Sequence, residues 1–505
     1  MQPNKRRWLA PAGAFGLIVT ALLVWQFTLS VSAVTSVTAN TAKSAQVADE
    51  DAIDEQQLDQ MVLPVPKPWR GDFKAMRERR LIRILVPYSQ TFYSIDRATQ
   101  HGISYELGQA LGQWLKQHYP SANQALRWQV LMIPVARNEL LPKLREGVGD
   151  IAAGGLTITE SRLKQVDFTA PFAEHINEVV VTSASVTGIN SLDDLAGRSV
   201  TVRESSSYFE HLLALNKDFK NRGLKPIKIE RADENLEVED LLQMVNAGLL
   251  DITVVDQYIA TAWQPEYPQI KIHDDWVVHA DSEFAWAIRK GSPQLKAVLD
   301  GFIEQHKLGT LFGNDLRNTA LRDTAELVSS TTAGEMKKFK VLVGLFQKHA
   351  QTYGFDYLML MALGYQESRL NQKARSPYGA VGVMQMLPST AKDPSVAISG
   401  IESSADANIE AGSKYLRGLI DAYLTDDRIT PTNQMLLAFA AYNAGPANLR
   451  RFRSLAKKSG LDEDIWFGNV EHSAARIVGR ETVDYVGNIY KYYIAYKLAE
   501  QRKTE

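Results

Sequence analysis

Leu81-Ile82-Arg83-Ile84-Leu85-Val86 and, shortly after it, Tyr105 to His118, in which Leu107, Ala110, Leu111, Trp114 and Leu115 are apolar, decide the fold. The first is an apolar run of strand length, and the second has the spacing of one helical face. Strand followed by helix recurs downstream. The pattern predicts strands near Trp128–Ile133 and Asp150–Ala153, a helix over Glu139–Glu146 between them, and further strands near Glu178–Thr182 and Ser199–Arg203. Such alternation predicts α/β layers. Beyond Glu335 the pattern changes: Phe339–Gln366, Ala407–Tyr423, Asn433–Tyr442 and Thr482–Ala499 each read as helix, with few β-branched runs between them. The last third is therefore expected to be all-α.

Outward from this frame, 505 residues exceed one domain of roughly 100–200 residues and suggest about three units. Hydrophobic residues are 45% and charged residues 23%, an ordinary globular balance that argues against wholesale disorder and a polytopic membrane protein. Lys plus Arg number 56 and Asp plus Glu 58, a net charge of −2, so no global field recruits nucleic acid. Without cysteine there is no disulfide, thiolate nucleophile or lipid-modified cysteine anchor.

At the N-terminus, Lys5, Arg6 and Arg7 precede an uncharged stretch from Trp8 to Ala33, the pattern of an export signal. Val31-Ser32-Ala33 suits signal peptidase, while Trp8–Val24 reaches the roughly 17 residues a membrane span needs. Residues 1–33 are thus a cleaved signal or a retained anchor, and either one exports the remainder of the chain. Polar residues and Pro64, Pro66 and Pro68 make 34–70 a tether. A folded region over 71–317, a Ser/Thr-rich linker over 318–335 and a helical domain over 336–505 complete the organisation. No repeat of fixed period is present.

The α/β region carries Glu146-Gly147-Val148-Gly149-Asp150-Ile151-Ala152-Ala153-Gly154-Gly155-Leu156-Thr157-Ile158-Thr159-Glu160-Ser161-Arg162. Small residues at a strand end admit a ligand to backbone amides, and a guanidinium can hold a carboxylate through two parallel hydrogen bonds. Taken alone, Arg162 is an ordinary surface charge. In order after it come Val166-Asp167-Phe168-Thr169-Ala170-Pro171-Phe172 and Gly248-Leu249-Leu250-Asp251-Ile252-Thr253-Val254-Val255-Asp256. With these blocks, Leu81 to near Phe312 resembles the family 3 periplasmic solute-binding proteins. The resemblance implies two α/β lobes hinged around a small ligand, an amino acid or a stem peptide. It implies that Thr157 and Arg162 contact the ligand carboxylate, that Asp256 pairs with its ammonium, and that Ser205, Ser206 and Ser207 offer hydroxyls and amides. Tyr105-Glu106 stands where many members carry aspartate. The competing reading is a lobe pair that binds nothing and serves as a spacer.

In the helical third, Leu358-Met359-Leu360-Met361-Ala362-Leu363 is apolar on every face and ends in Gly364-Tyr365-Gln366-Glu367-Ser368. A carboxylate at the end of a buried helix is partly desolvated, which raises its pKa as a general acid requires; for an isolated glutamate the ordinary reading is a cap or an ion pair. Three further blocks lie downstream: Ser376 to Ala391, rich in turn residues yet apolar, Ala440-Ala441-Tyr442-Asn443-Ala444-Gly445-Pro446, and Glu481-Thr482-Val483-Asp484-Tyr485-Val486. Aromatic faces and amides of this kind suit N-acetylated sugars.

Together the four blocks resemble the soluble lytic transglycosylase domain, a lysozyme-like all-α fold. The resemblance implies that Glu367 is the catalytic acid, with Ser376, Gln385, Tyr442, Asn443 and Glu481 lining the sugar groove. Gln372 and Leu387 depart from the family pattern, at positions where most or some members have proline and methionine. The expected architecture is a two-lobed periplasmic-binding-protein fold followed by the lysozyme-like domain. The implied reaction cleaves glycan strands of peptidoglycan between N-acetylmuramic acid and N-acetylglucosamine, leaving 1,6-anhydro ends, without metal or cofactor. The implied location is the periplasm, at the outer membrane or tethered to the inner. Two other readings compete: a receptor that holds glycan without cutting it, and a hydrolase on the same fold.

Overall fold

A computed structural model describes Leu58 and residues 67–97, 99–121, 127–314 and 333–504. The expected export segment, most of the tether and most of the linker lie outside the described residues. The strands are β1 (Leu81–Pro87), β2 (Ser94–Asp96), β3 (Thr99–His101), β4 (Gln129–Val135), β5 (Ile151–Thr157), β6 (Asp167–Phe168), β7 (Ala173–Ser183), β8 (Ser199–Arg203), β9 (Lys228–Ala232), β10 (Ile252–Asp256) and β11 (Ile270–Ile288).

The main sheet runs β10-β7-β11-β5-β1-β4, with β6 on β11. β4, β1 and β5 are parallel, as strands joined by helical crossovers must be, whereas β11 is antiparallel to β5, β6 and β7. The 19 residues of β11 pair with β7 at one end and β5 at the other, so this strand threads both lobes and hinges them. β8 and β9 pair in parallel and join the second lobe where Thr253 Oγ1 donates to the Thr201 carbonyl at 2.8 Å. The apolar interiors of β1 and β10 follow from their burial on both faces.

The helical domain comprises Ala333–Tyr353, Tyr357–Ser368, Pro388–Lys392, Ala405–Tyr423, Pro431–Ala444, Pro446–Lys458, Glu471–Val478 and Arg480–Thr504. The single helix expected over Phe339–Gln366 is in fact two. Gly354 takes a left-handed φ of 71°, and the Asp356 carboxylate caps the second helix by accepting from Leu358 N at 2.8 Å. Apolar periodicity continues through the break, so it hid the turn. Leu358 to Tyr365 and Met435 to Asn443 are buried on every face, each large side chain contributing about 1.5–3 kcal/mol. None of the helices among the described residues is long and apolar enough to cross a membrane.

The two regions touch. Arg97 N donates to the Ala475 carbonyl at 2.8 Å, Tyr88 and His472 rings lie 4.9 Å apart, and Tyr490 donates to Asp233 at 2.7 Å. Lys491 reaches Asp240 at 2.7 Å and Gln243 at 2.8 Å. Helix Arg480–Thr504 is therefore fixed at its middle to the second lobe.

Candidate active site and ligand cleft

Glu367 sits in the last turn of helix Tyr357–Ser368, just beyond its buried stretch Leu358 to Tyr365. The chain leaves the helix through Arg369 and Leu370, both with left-handed φ of 54° and 56°. Two consecutive non-glycine residues in that region are costly, roughly 1–2 kcal/mol each, and such strain gathers at functional sites. Ser368 Oγ donates to the Val383 carbonyl at 2.8 Å, tying this exit to the loop Ser376–Leu387.

That loop is held from behind. Asn408 donates through Nδ2 to the Val381 carbonyl at 2.8 Å and accepts at Oδ1 from Met384 N at 2.7 Å. Gly382, at φ 80°, lies so close that a Cβ there would meet Asn408 at 2.4 Å. Gln372, where the sequence departs from its family pattern, bridges the same parts: its side chain donates to the Ile401 carbonyl at 2.9 Å and accepts from Val383 N at 3.3 Å.

Tyr485, on helix Arg480–Thr504, donates its hydroxyl to Glu367 Oε1. Burial pushes the Glu367 carboxyl up to about 8, and the Tyr485 hydrogen bond works against that rise. Burial, and then the Glu367 charge, hold the Tyr485 hydroxyl well above its usual range, so it stays a donor.

The other expected groove residues divide. Tyr442 is buried, with its hydroxyl donating to the Met384 carbonyl at 2.7 Å, and Glu367 is among the charges that raise its pKa; its hydroxyl holds the loop. Asn443 Oδ1 accepts from Thr482 Oγ1 at 2.8 Å, which locks helix Pro431–Ala444 to the turn bearing Glu481. Gln385 is buried and donates to the Gly382 carbonyl at 2.9 Å. Ser376 Oγ accepts from Ala380 N at 3.0 Å and shapes the turn around the exposed Tyr378. Tyr485 lay within the last of the four motifs without a role; it stands four residues after Glu481, one helical turn on.

In the α/β region, Thr157, Arg162 and Ser206 meet at a cavity of about 940 Å³ that Arg137, Arg203 and Tyr208 also line. Thr157 Oγ1 lies 3.1 Å from Ser207 Oγ, and Arg162 donates to the carbonyls of Thr157 at 2.8 Å and Ser205 at 3.0 Å. Arg137 bridges the lobes to Glu237 at 2.7 Å. The lobes are thus closed on each other. Ser206 uses its hydroxyl within its own lobe, capping helix Ser207–Asn221 and donating to the Arg203 carbonyl at 2.6 Å.

Asp256 stands apart from the cavity lining, behind Tyr208, whose hydroxyl donates to Asp256 Oδ2 at 2.6 Å. Its other oxygen is buried without a partner, and burial, then Glu178, push its carboxyl well above the usual range. Arg137 and Arg203 escaped the sequence reading. Arg137 follows β4 at its carboxyl end, where ligands bind in open α/β sheets, and that was its available signal. An apolar cavity of about 680 Å³, lined by Phe92, Phe172, Tyr258 and Trp286, adjoins at Gly155.

Residues 85–311 match the family model described as bacterial extracellular solute-binding proteins, family 3, and residues 344–465 match that of the transglycosylase SLT domain. The fold and the matched models define a solute-binding domain followed by a transglycosylase domain, the order expected from the sequence. The chain is similar over most of its length to proteins named membrane-bound lytic murein transglycosylase F. That of Desulfosudis oleivorans is 29% identical over 446 residues, covering 83% of this chain and 90% of the relative. That of Saccharophagus degradans is 28% identical over 399 residues, covering 73% and 74%. Among solved structures, an ancestral arginine-binding protein bound to arginine is 24% identical with a TM-score of 0.39, covering 48% of this chain and 99% of its own.

Proposed function

We propose that Glu367 is the single acid–base group of a murein lytic transglycosylase, and that the cleft of the solute-binding domain takes a small ligand with a carboxylate. The chain is an enzyme that acts on peptidoglycan as a lyase, like the relatives whose names describe that activity. One observation carries the acid assignment: a carboxyl held near 8 by burial and bonded by a tyrosine hydroxyl.

A two-carboxylate hydrolase needs a second carboxylate about 5–9.5 Å from the first, whereas the proposed reaction needs one acid–base group. A single group suits intramolecular attack. Glu367 donates its proton to the glycosidic oxygen, the C1–O bond breaks, and the N-acetylglucosamine side leaves as an alcohol. The substrate N-acetyl group shields the positive charge at C1. The Glu367 carboxylate then takes the proton of the muramyl C6 hydroxyl as O6 bonds to C1, which restores the acid without water.

Glu367→Gln keeps the shape and loses the proton, so muropeptide release falls by about 10²–10⁴-fold or more. Mass spectrometry of the wild-type digest shows borohydride-treated ends about 20 Da lighter than reduced hydrolysis products, because O6 replaces water as the nucleophile. Reducible muramic acid as the main end would mean hydrolysis, and a variant keeping a tenth of the activity would move the acid elsewhere. The Arg137, Arg162 and Arg203 guanidiniums at one cavity support a carboxylate-bearing ligand, an amino acid or stem peptide. The relatives' names place them at a membrane, and export through residues 1–33 fits that setting.

A further inference from the structure

Between the two regions lies a second cavity, of about 860 Å³, walled by the first lobe, the second lobe and the helical domain. Most charges on its walls are paired. Glu237 meets Arg137 at 2.7 Å and Arg203 at 3.1 Å, Asp240 meets Lys491 at 2.7 Å, and Asp484 meets Arg480 at 3.7 Å. Among the described residues three lining carboxyls have no ion pair: Glu234, which accepts from Ser205 N at 3.0 Å and from Ser205 Oγ at 2.6 Å, Glu239 and Glu471. Glu239, from the second lobe, is only 2% exposed; its Oε1 accepts from Ser89 Oγ at 2.6 Å and Thr91 N at 3.2 Å, while its Oε2 is buried without a partner. Glu471, from the helical domain, is 5% exposed and accepts from Gly468 N at 2.6 Å.

We infer that this interdomain cavity binds a small organic cation bearing a primary ammonium, held between Glu239 and Glu471. A buried carboxyl without a cation is costly, and two of them, from different domains, face one cavity. Burial raises both, Glu471 to about 8, with Glu237 and Asp240 adding to the rise at Glu239 and Asp240 to that at Glu471. Glu471 therefore holds its proton at neutral pH until a cation arrives. Tyr88 and Phe467 also line the space, and aromatic faces attract ammonium groups. A bare metal ion fits less well: among the described residues no group of three or more His, Cys, Asp or Glu is placed to hold one.

The test is titration calorimetry of the full chain at pH 7 with 1,5-diaminopentane, in two buffers of different ionisation enthalpy, with 1,5-pentanediol and magnesium chloride as separate arms. The expected result is saturable diamine binding that releases protons to the buffer, with no heat from the diol or magnesium. Glu239→Gln weakens it at least tenfold, and Glu471→Gln on the opposite wall does the same, so one variant remains informative if the other melts early. Absence of diamine binding overturns the inference, as does binding that both variants retain, or magnesium binding that the variants remove. None of these readouts depends on glycan cleavage, so the outcome is separate from the fate of the catalytic assignment.

Discussion

In the proposed reaction Glu367 is an acid first and a base second, and its surroundings set the pH at which it can begin. With its carboxyl near 8, kcat/KM should be flat through neutrality and fall above about pH 8, where the acid is lost. Tyr485→Phe removes the hydrogen bond that opposes the rise, so the alkaline limb should move to higher pH while kcat drops. A limb that stays put would show that Tyr485 does not act through Glu367. The same shift bears on stability. Between an unfolded pKa of 4.5 and a folded value near 8, the folded chain keeps a proton the unfolded chain has lost, so this group's contribution falls as pH rises through that window. Glu367→Gln should therefore melt higher than wild type, by a margin that grows from pH 5 to pH 8.5, at about 2–4 °C per kcal/mol relieved. A margin independent of pH would mean the carboxyl is not perturbed. The motif made Glu367 legible in the sequence, but Tyr485 took on its role only when helix Arg480–Thr504 was seen to pack against helix Tyr357–Ser368.

Elements explain why some expectations held and others needed correction. Strands β1 and β5 were legible because parallel strands buried on both faces read as apolar runs, and their order with the helices followed; β4, at the sheet edge and only partly buried, was legible from its apolar Val130 to Ile133. The join at Gly354 was hidden because it is only three residues long and Phe355 within it continues the apolar pattern between the two helices. Pairing across the cleft was equally hidden: Arg137–Glu237 joins residues 100 positions apart, and sequence spacing says nothing of such pairs. The exit from the catalytic helix gives a prediction of its own. Arg369 is exposed with φ 54°, a conformation glycine adopts freely at helix C-termini. Arg369→Gly should relieve roughly 1–2 kcal/mol of backbone strain against a chain-entropy loss of about 0.5–1 kcal/mol. The expected net gain is about 0.5–1 kcal/mol in urea unfolding, with activity retained. A loss of stability would show that its left-handed conformation is not strained.

At the scale of the molecule, helix Arg480–Thr504 serves both regions. Tyr485 touches the Glu367 carboxyl, and five and six residues further on Tyr490 and Lys491 are bonded to Asp233 and Asp240 of the second lobe. Asp240 in turn forms a capping box with Glu237, the partner of Arg137 at the ligand cleft. A ligand that shifted the lobes would therefore pull on the helix whose Tyr485 bonds Glu367. It changes turnover only through its differential affinity for the two arrangements, typically about 1–3 kcal/mol, or a 5–150-fold change in turnover. Calorimetry against amino acids and stem-peptide fragments identifies a ligand for the cleft, and Arg162→Ala, which leaves the ligand carboxylate unpaired, should weaken its binding by more than a surface pair's ~1 kcal/mol. With that ligand saturating, peptidoglycan turnover should change within the stated range. Lys491→Met cuts the tie without touching the cleft, so the ligand should still bind while its effect on turnover shrinks towards one. An undiminished effect in this variant would route the coupling elsewhere, and no effect in wild type would leave the two regions joined only by their chain.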